Sequence, residues 1–99
     1  MQPLHWVTLD KRRRAVVLTR DVMVGPMSTV TVAPVTTTIH GIATEVLLGF
    51  QSGLDETSVI RCDQILSIPD TQLHEQCGWL LEARERALHK AIQAAFDLV

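Results

Sequence analysis

The chain has 99 residues, 46% of them apolar, and a formal net charge of −2. That length fits one domain, residues 1–99, with a modest core that a second copy would help to stabilise, and the apolar content argues against a disordered tail. The charge excludes an all-over basic coat for a polyanion, no apolar run is long enough to span a bilayer, and residues 1–6 lack the features of a signal peptide, so a cytoplasmic protein with at most a local polyanion site is expected.

Residues 4–9 read as a first strand, with His5, Val7 and Leu9 alternating against Trp6 and Thr8. Residues 10–14 form a polar connection of hairpin length. Residues 15–19 are continuously β-rich, as expected of a central strand. Gly25-Pro26 marks a loop at 24–28. Threonine alternates with valine over 29–35, a strand expected to stop near Pro34. Gly41 closes the next turn, and 44–48 is the returning strand.

A second loop is expected at 51–55. Short strands follow at 58–62 and 65–68, split around Asp63 and closed by Pro69, and another at 77–80. From Glu82 onward the pattern changes period: Ala83, Ala87, Leu88, Ala91, Ile92, Ala95 and Phe96 recur at helical spacing. Glu82 and Glu85 fall in the first turn, where the helix dipole favours anions. Many short strands followed by one amphipathic helix predict a mainly β fold, a small curved barrel or sheet packed on a C-terminal helix.

The charged and hydroxyl residues are not spread evenly. Lys11, Arg12, Arg13, Arg14 and Arg20 supply five of the nine cationic side chains. Thr36, Thr37, Thr38 and His40 follow an apolar strand. Cations that hold a phosphate and hydroxyls that hydrogen-bond its oxygens are thus each anchored at a strand end. Taken alone, an arginine run is more often a solvated turn, and a threonine triplet more often reflects β-propensity.

Cys62 and Cys77 are spaced neither as Cys-x-x-Cys nor as a disulfide framework, and read as buried thiols of a reducing compartment. His5, His74 and His89 are read as incidental, and no metal-ligand set is recognisable. Trp6 and Trp79 are read as core or interface residues.

In order and at the right intervals, five segments resemble the MazF/PemK/Kid family of toxin endoribonucleases. Arg13-Arg14-Ala15-Val16-Val17-Leu18-Thr19 matches its Arg-Pro-Ala-Val-Val-Leu-Ser strand. Pro34-Val35-Thr36-Thr37-Thr38-Ile39-His40-Gly41 matches Pro-x-Thr-Thr followed by a basic residue and glycine. Glu45-Val46-Leu47-Leu48, Ile60-Arg61-Cys62-Asp63-Gln64-Ile65 and Cys77-Gly78-Trp79-Leu80 complete the set. The chain departs from the family pattern in its N-terminal Gln2-Pro3-Leu4-His5-Trp6, in a shortened connection after the first strand, in Arg14 where relatives have proline, and in Leu81 at the helix cap.

The resemblance implies an SH3-like barrel of the CcdB/PemK type, a homodimer, and a toxin that cleaves single-stranded RNA without metal or cofactor. The products would be 2′,3′-cyclic phosphate and 5′-hydroxyl ends, and the partner a MazE-like antitoxin with an acidic, disordered segment. Position by position, Arg13 and Thr36 match the catalytic pair, and Arg12, Arg14, Arg20, Thr37, Thr38 and His40 fall where RNA would be bound. Glu45 and Asp63 fall where they would organise the site. The sequence leaves open which of the three consecutive arginines is catalytic, and it shows no general base. A CcdB-like gyrase poison that cuts nothing, or a degenerate binding module of the same fold, are the alternatives.

Overall fold

A computed structural model describes residues 2–19, 29–49, 54 and 56–96. Seven strands and one helix follow in order: β1 (Gln2–Thr8), β2 (Arg12–Val17), β3 (Thr29–Thr36), β4 (Glu45–Leu48), β5 (Ser58–Arg61), β6 (Leu66–Pro69), β7 (Leu73–Leu80) and α1 (Glu82–Ala95). The strands form one antiparallel sheet ordered β4-β5-β3-β2-β1-β7, with β6 also paired to β3. It is the expected mainly β half-barrel with a C-terminal helix. The loops expected at 24–28 and 51–55 lie outside the described residues, apart from the buried Leu54.

The sheet is covered on both faces, and side-chain alternation decides which residue goes where. Val16, Ala33 and Val35 point with Leu4, Ile60 and Leu80 into a cluster that includes Leu88 and Ala91 of α1. Ala15, Val17, Val30 and Val32 point the other way, against Val7 and Ile68. Double-sided burial is why Ala15, Val16 and Val17 of β2 and Val32 to Val35 of β3 form unbroken apolar runs. The middle of α1 does the packing, against β4 and a 3-10 turn at Cys62–Gln64. Ala83 and Phe96, placed on the apolar stripe by their spacing, are exposed at the helix ends. Leu81 caps the helix without a side-chain hydrogen bond.

Three boundaries differ from expectation for physical reasons. Residues 12–14 belong to β2 rather than to the connection, because Thr8, Val7 and Trp6 pair with Arg12, Arg13 and Arg14. β3 runs past Pro34 to Thr36. It pairs with β6 over Thr29–Val32 and with β5 at Val35 and Thr36, so Pro34 sits in the gap between two partners, where its missing N–H matters least. β7 begins at Leu73, not 77. Its register against β1 shifts on both sides of His5, and such bulges hide the two-residue period.

Neither tryptophan is in the core. Trp6 is half-buried and Trp79 is 47% exposed. His5 and His74, read as incidental, clasp β1 to β7: His5 Nδ1 donates to the His74 carbonyl at 2.7 Å, and His74 Nε2 meets Thr8 Oγ1 at 2.6 Å. Cys62 is fully buried and Cys77 half-buried, both as free thiols. Burial, helped by the neighbouring Asp63, pushes the Cys62 thiol up to about 11, which keeps it protonated and unreactive.

Leu88 is the fully buried anchor of α1. Leu88→Ala should lower unfolding stability by about 2–5 kcal/mol through lost burial and a residual cavity. Urea denaturation measures this; a loss under about 1 kcal/mol would mean that the helix contributes little to the core.

Candidate functional site

Strand alternation separates the three arginines. Arg12 and Arg14 fall on the same face of β2 as Val16, while Arg13 shares the face of Ala15 and Val17. Arg14 pairs with Val35, so the next position across from Arg13 is Thr36, and both side chains take the same face. They line a cleft of about 490 Å³ together with Asp10, Thr38, Arg61 and Gln64, with Leu9, Pro34 and Leu66 giving it an apolar wall. Of the three consecutive arginines, Arg13 is the one that lines this cleft.

Arg13, Asp10, Thr36 and Arg61 have hydrogen-bond partners within the cleft or at its edge. Arg13 Nε donates to Asp10 Oδ1 at 2.9 Å and Nη2 to Oδ2 at 3.1 Å. That hydrogen bond is the main cause that brings the Asp10 carboxyl down from 3.8 to about 2, and it raises Arg13 above its already high value. The stabilisation that Asp10 contributes is therefore complete above pH 3.8 and is lost as the pH falls toward 2. Thr36 Oγ1 accepts the Thr38 N–H at 3.2 Å, which leaves the hydroxyl hydrogen of Thr36 to donate elsewhere.

Glu45 and Asp63 lie beside Arg61, which lines the cleft. The Glu45 carboxylate is only 3% exposed and accepts the backbone N–H groups of His40 (3.0 Å) and Gly41 (2.8 Å), tying the loop after Thr36 to the start of β4. Burial works against its ionisation, but the N–H groups of Gly41, His40 and Ile42 outweigh it, and its pKa is lowered. Gly41 takes φ of 70°, a left-handed conformation that suits glycine at this turn. Arg61 lies between the two acids, 4.0 Å from Glu45 and donating through Nε and Nη2 to Asp63 at 3.3 Å each.

Arg61 was not singled out from the sequence. It sits at the end of a strand between Ile60 and Cys62, and nothing local showed that it would face Arg13 across the cleft.

A second groove of about 360 Å³ adjoins the first and shares Arg13, Thr36 and Thr38 with it. Lys11, Arg12, Arg14 and Thr37 line it, as does Trp6. The Arg12 and Arg14 guanidinium carbons lie 4.8 Å and 5.3 Å from the Trp6 ring centroid, and Arg12 also pairs with Glu75. These guanidiniums over the ring explain how Trp6 is half-covered outside the core. His40 is anchored through its backbone, and its exposed ring lines neither groove. Arg20 lies outside the described residues. Among the described residues, no group of three or more His, Cys, Asp or Glu side chains is arranged to hold a metal ion.

Comparison with known proteins gives this geometry a context. Residues 7–96 match the family model described as PemK-like, MazF-like toxin of type II toxin–antitoxin system. The chain is 47% identical over 98 residues to endoribonuclease MazF3 of Mycobacterium tuberculosis, covering 99% of this chain and 95% of that protein. Its fold superposes on the M. tuberculosis toxin MazF-mt6 with a TM-score of 0.93 at 46% identity, covering 98% of each chain. A mycobacterial endoribonuclease solved with its cognate antitoxin has the same fold, with a TM-score of 0.86 at 20% identity over 99% of this chain and 93% of that one.

Two measurements check the geometry of the site. A carboxyl 13C titration should place the Asp10 midpoint near 2 and move it toward 3.8 in Arg13→Ala; an unmoved midpoint would mean that Arg13 is not its partner. Glu45→Ala should speed amide hydrogen exchange at His40 and Gly41 by about 10-fold, as loss of a charge-assisted hydrogen bond predicts. Unchanged protection would remove Glu45 as the tether of the loop.

Proposed function

This chain belongs to the PemK-like, MazF-like toxins of type II toxin–antitoxin systems and is an endoribonuclease, and we propose that it cuts single-stranded RNA, without a metal, at a phosphate held between Arg13 and Thr36. The observation that carries this reading is the meeting of Arg13 and Thr36 on one face of one cleft, a guanidinium and a hydroxyl donor on adjacent strands.

In the proposed reaction the 2′-oxygen beside the scissile bond attacks phosphorus and the bond to the 5′-oxygen breaks. One proton is lost from the 2′-hydroxyl and one is gained by the departing 5′-oxygen, leaving a 2′,3′-cyclic phosphate and a 5′-hydroxyl. Negative charge builds on the phosphoryl oxygens in the transition state. Arg13 meets it with charge and with paired N–H donors, and Thr36 adds an O–H donor from a rigid strand end. Hydrogen bonding to Asp10 makes Arg13 a weaker acid still, so its role is electrostatic and not that of a proton donor.

Arg61, aimed into the same cleft by Asp63 and Glu45, adds a second cation there. Lys11, Arg12, Arg14, Thr37 and Thr38 offer the adjoining groove for flanking phosphates, and Glu45 and Asp63 hold the walls. The functional surface is local, which agrees with a net charge of −2.

The same basic groove suits the acidic segment of a MazE-like antitoxin, which would compete with RNA for it; the cognate-antitoxin complex of the mycobacterial endoribonuclease supports such a partner. A homodimer is supported by the position of β7 at the sheet edge, with Trp79 exposed on it. Among the described residues no helix is long and apolar enough to cross a membrane, and we place the protein in the cytoplasm, where its RNA substrate is. A non-cleaving gyrase poison would leave the Arg13–Thr36 arrangement without a use.

Purified protein incubated with long single-stranded RNA in EDTA should cut at one short sequence and leave cyclic-phosphate ends. Arg13→Ala and Thr36→Ala should each slow cleavage by roughly 100- to 1,000-fold, as loss of one oxyanion donor does elsewhere. Cleavage at wild-type rate by both variants, or cleavage of RNA carrying a 2′-deoxy sugar at the cut position, would refute the mechanism.

A further inference from the structure

Leu4 pairs with Val16 and Trp6 with Arg14 across β1 and β2, so these four residues share one face of the sheet with Arg12. The apolar layer beneath α1 ends at Leu4 and Val16, and Trp6, Arg14 and Arg12 continue it toward the β1–β2 turn. Both guanidinium carbons lie over the indole, 4.8 Å and 5.3 Å from its centroid. Two cations gathered on one ring repel each other, and an anion brought between them relieves that repulsion. Glu75 accepts from Arg12 Nη2, a bond that uses an edge of the guanidinium and not its flat face. The Arg12 side chain is 53% exposed, so this layer is open to a ligand.

Resting on the reading of the Arg13–Thr36 cleft as the cutting site, we propose that the groove of about 360 Å³ beside it is a stacking subsite for one unpaired base flanking the cut. The groove shares Arg13 and Thr36 with the cleft, so an RNA strand whose phosphate sits there runs on into it. The base lies on the layer of Arg12, Trp6 and Arg14, and the phosphate of the same nucleotide meets the two guanidiniums. Indole and guanidinium planes both stack on a nucleobase, whichever base it is. A base inside a duplex has its faces taken by its neighbours, so the subsite admits only a single strand. Arg14 stands where the family pattern has proline, so the paired guanidiniums over Trp6 are a feature of this chain and not of that pattern.

The test uses an RNA oligonucleotide carrying the mapped cut sequence, made uncuttable by a 2′-deoxy sugar at the cut position. A set of such strands, each lacking one base but keeping every phosphate, is bound to wild type, Trp6→Leu, Arg14→Pro and Arg14→Leu at one ionic strength. Thermal melting of each variant runs beside it, and Arg14→Leu serves if Arg14→Pro does not fold. In the wild type, removing the base at one position next to the cut should weaken binding about 5- to 150-fold, the loss of one stacked base. In Trp6→Leu and in the Arg14 variants that penalty should shrink to about 2-fold or less, because the surface that read the base is gone.

A penalty of the same size in wild type and variants would overturn the proposal, since the base would then be read elsewhere. So would variants that weaken intact and base-deleted strands equally, which is the result for a groove that holds phosphates alone. Failure of the underlying reading looks different. Cleavage at the wild-type rate by Arg13→Ala would remove the cleft as the cutting site and the subsite with it, whereas failure of the subsite alone leaves Arg13-dependent cleavage intact.

Discussion

The antiparallel register of β1, β2 and β3 is the constraint on which the site depends. Arg14 opposite Trp6 on one side and Val35 on the other leaves no freedom in where Arg13 and Thr36 point. A slip of one residue would exchange the faces, sending Arg13 toward the helix-side core and Arg12 and Arg14 into the cleft. The slip is prevented by burial: it would also turn Ala15 and Val17 away from Val30 and Val32, and Val16 away from Leu88 and its neighbours. The core thus sets the register, and the register sets which arginine meets the hydroxyl.

Acidic side chains do the finer orientation. Asp10 grips Arg13, Asp63 grips Arg61 through the equivalent two nitrogens, and Glu45 ties the His40–Gly41 backbone to the start of β4. As stabilising interactions, the two exposed ion pairs are worth little, because solvent screens them. Their value is geometric. Two guanidiniums that carry flexible stems are aimed into one small cleft before any substrate arrives, which lowers the ordering that binding must supply. An excess of cations in a local groove on a chain of net charge −2 follows from the same arrangement.

Much of the fold was legible. Thr–Val alternation in β3, the continuous apolar run of β2 and the helical stripe around Leu88 each carry their own period; β3 and α1 stand close to where that period put them, while β2 begins and ends earlier than its apolar run suggested. Elements with a broken period were read less well. The bulges in β7 interrupt alternation before Gly78, so its first half went unseen, and Pro34 suggested a strand end that the change of partner strand made unnecessary. Trp6 was read as core or interface by residue type, and it is not in the core. It is instead half-covered by the arginines of the neighbouring strand.

The sequence by itself determined the chemical inventory: a cluster of arginines before one strand, hydroxyls after another, acids spaced behind them, and apolar periods sufficient for a barrel and a helix. These are local properties, written in composition and in spacing over a few residues. Only the tertiary structure decided that Arg13, and not Arg12 or Arg14, shares a strand face with Thr36, that Arg61 joins them, and that Asp10 holds the guanidinium. The first two are distances between segments far apart in the chain, and the third is a contact over three residues set by the turn between β1 and β2. They depend on strand pairing and on the burial of both sheet faces, which no single segment encodes.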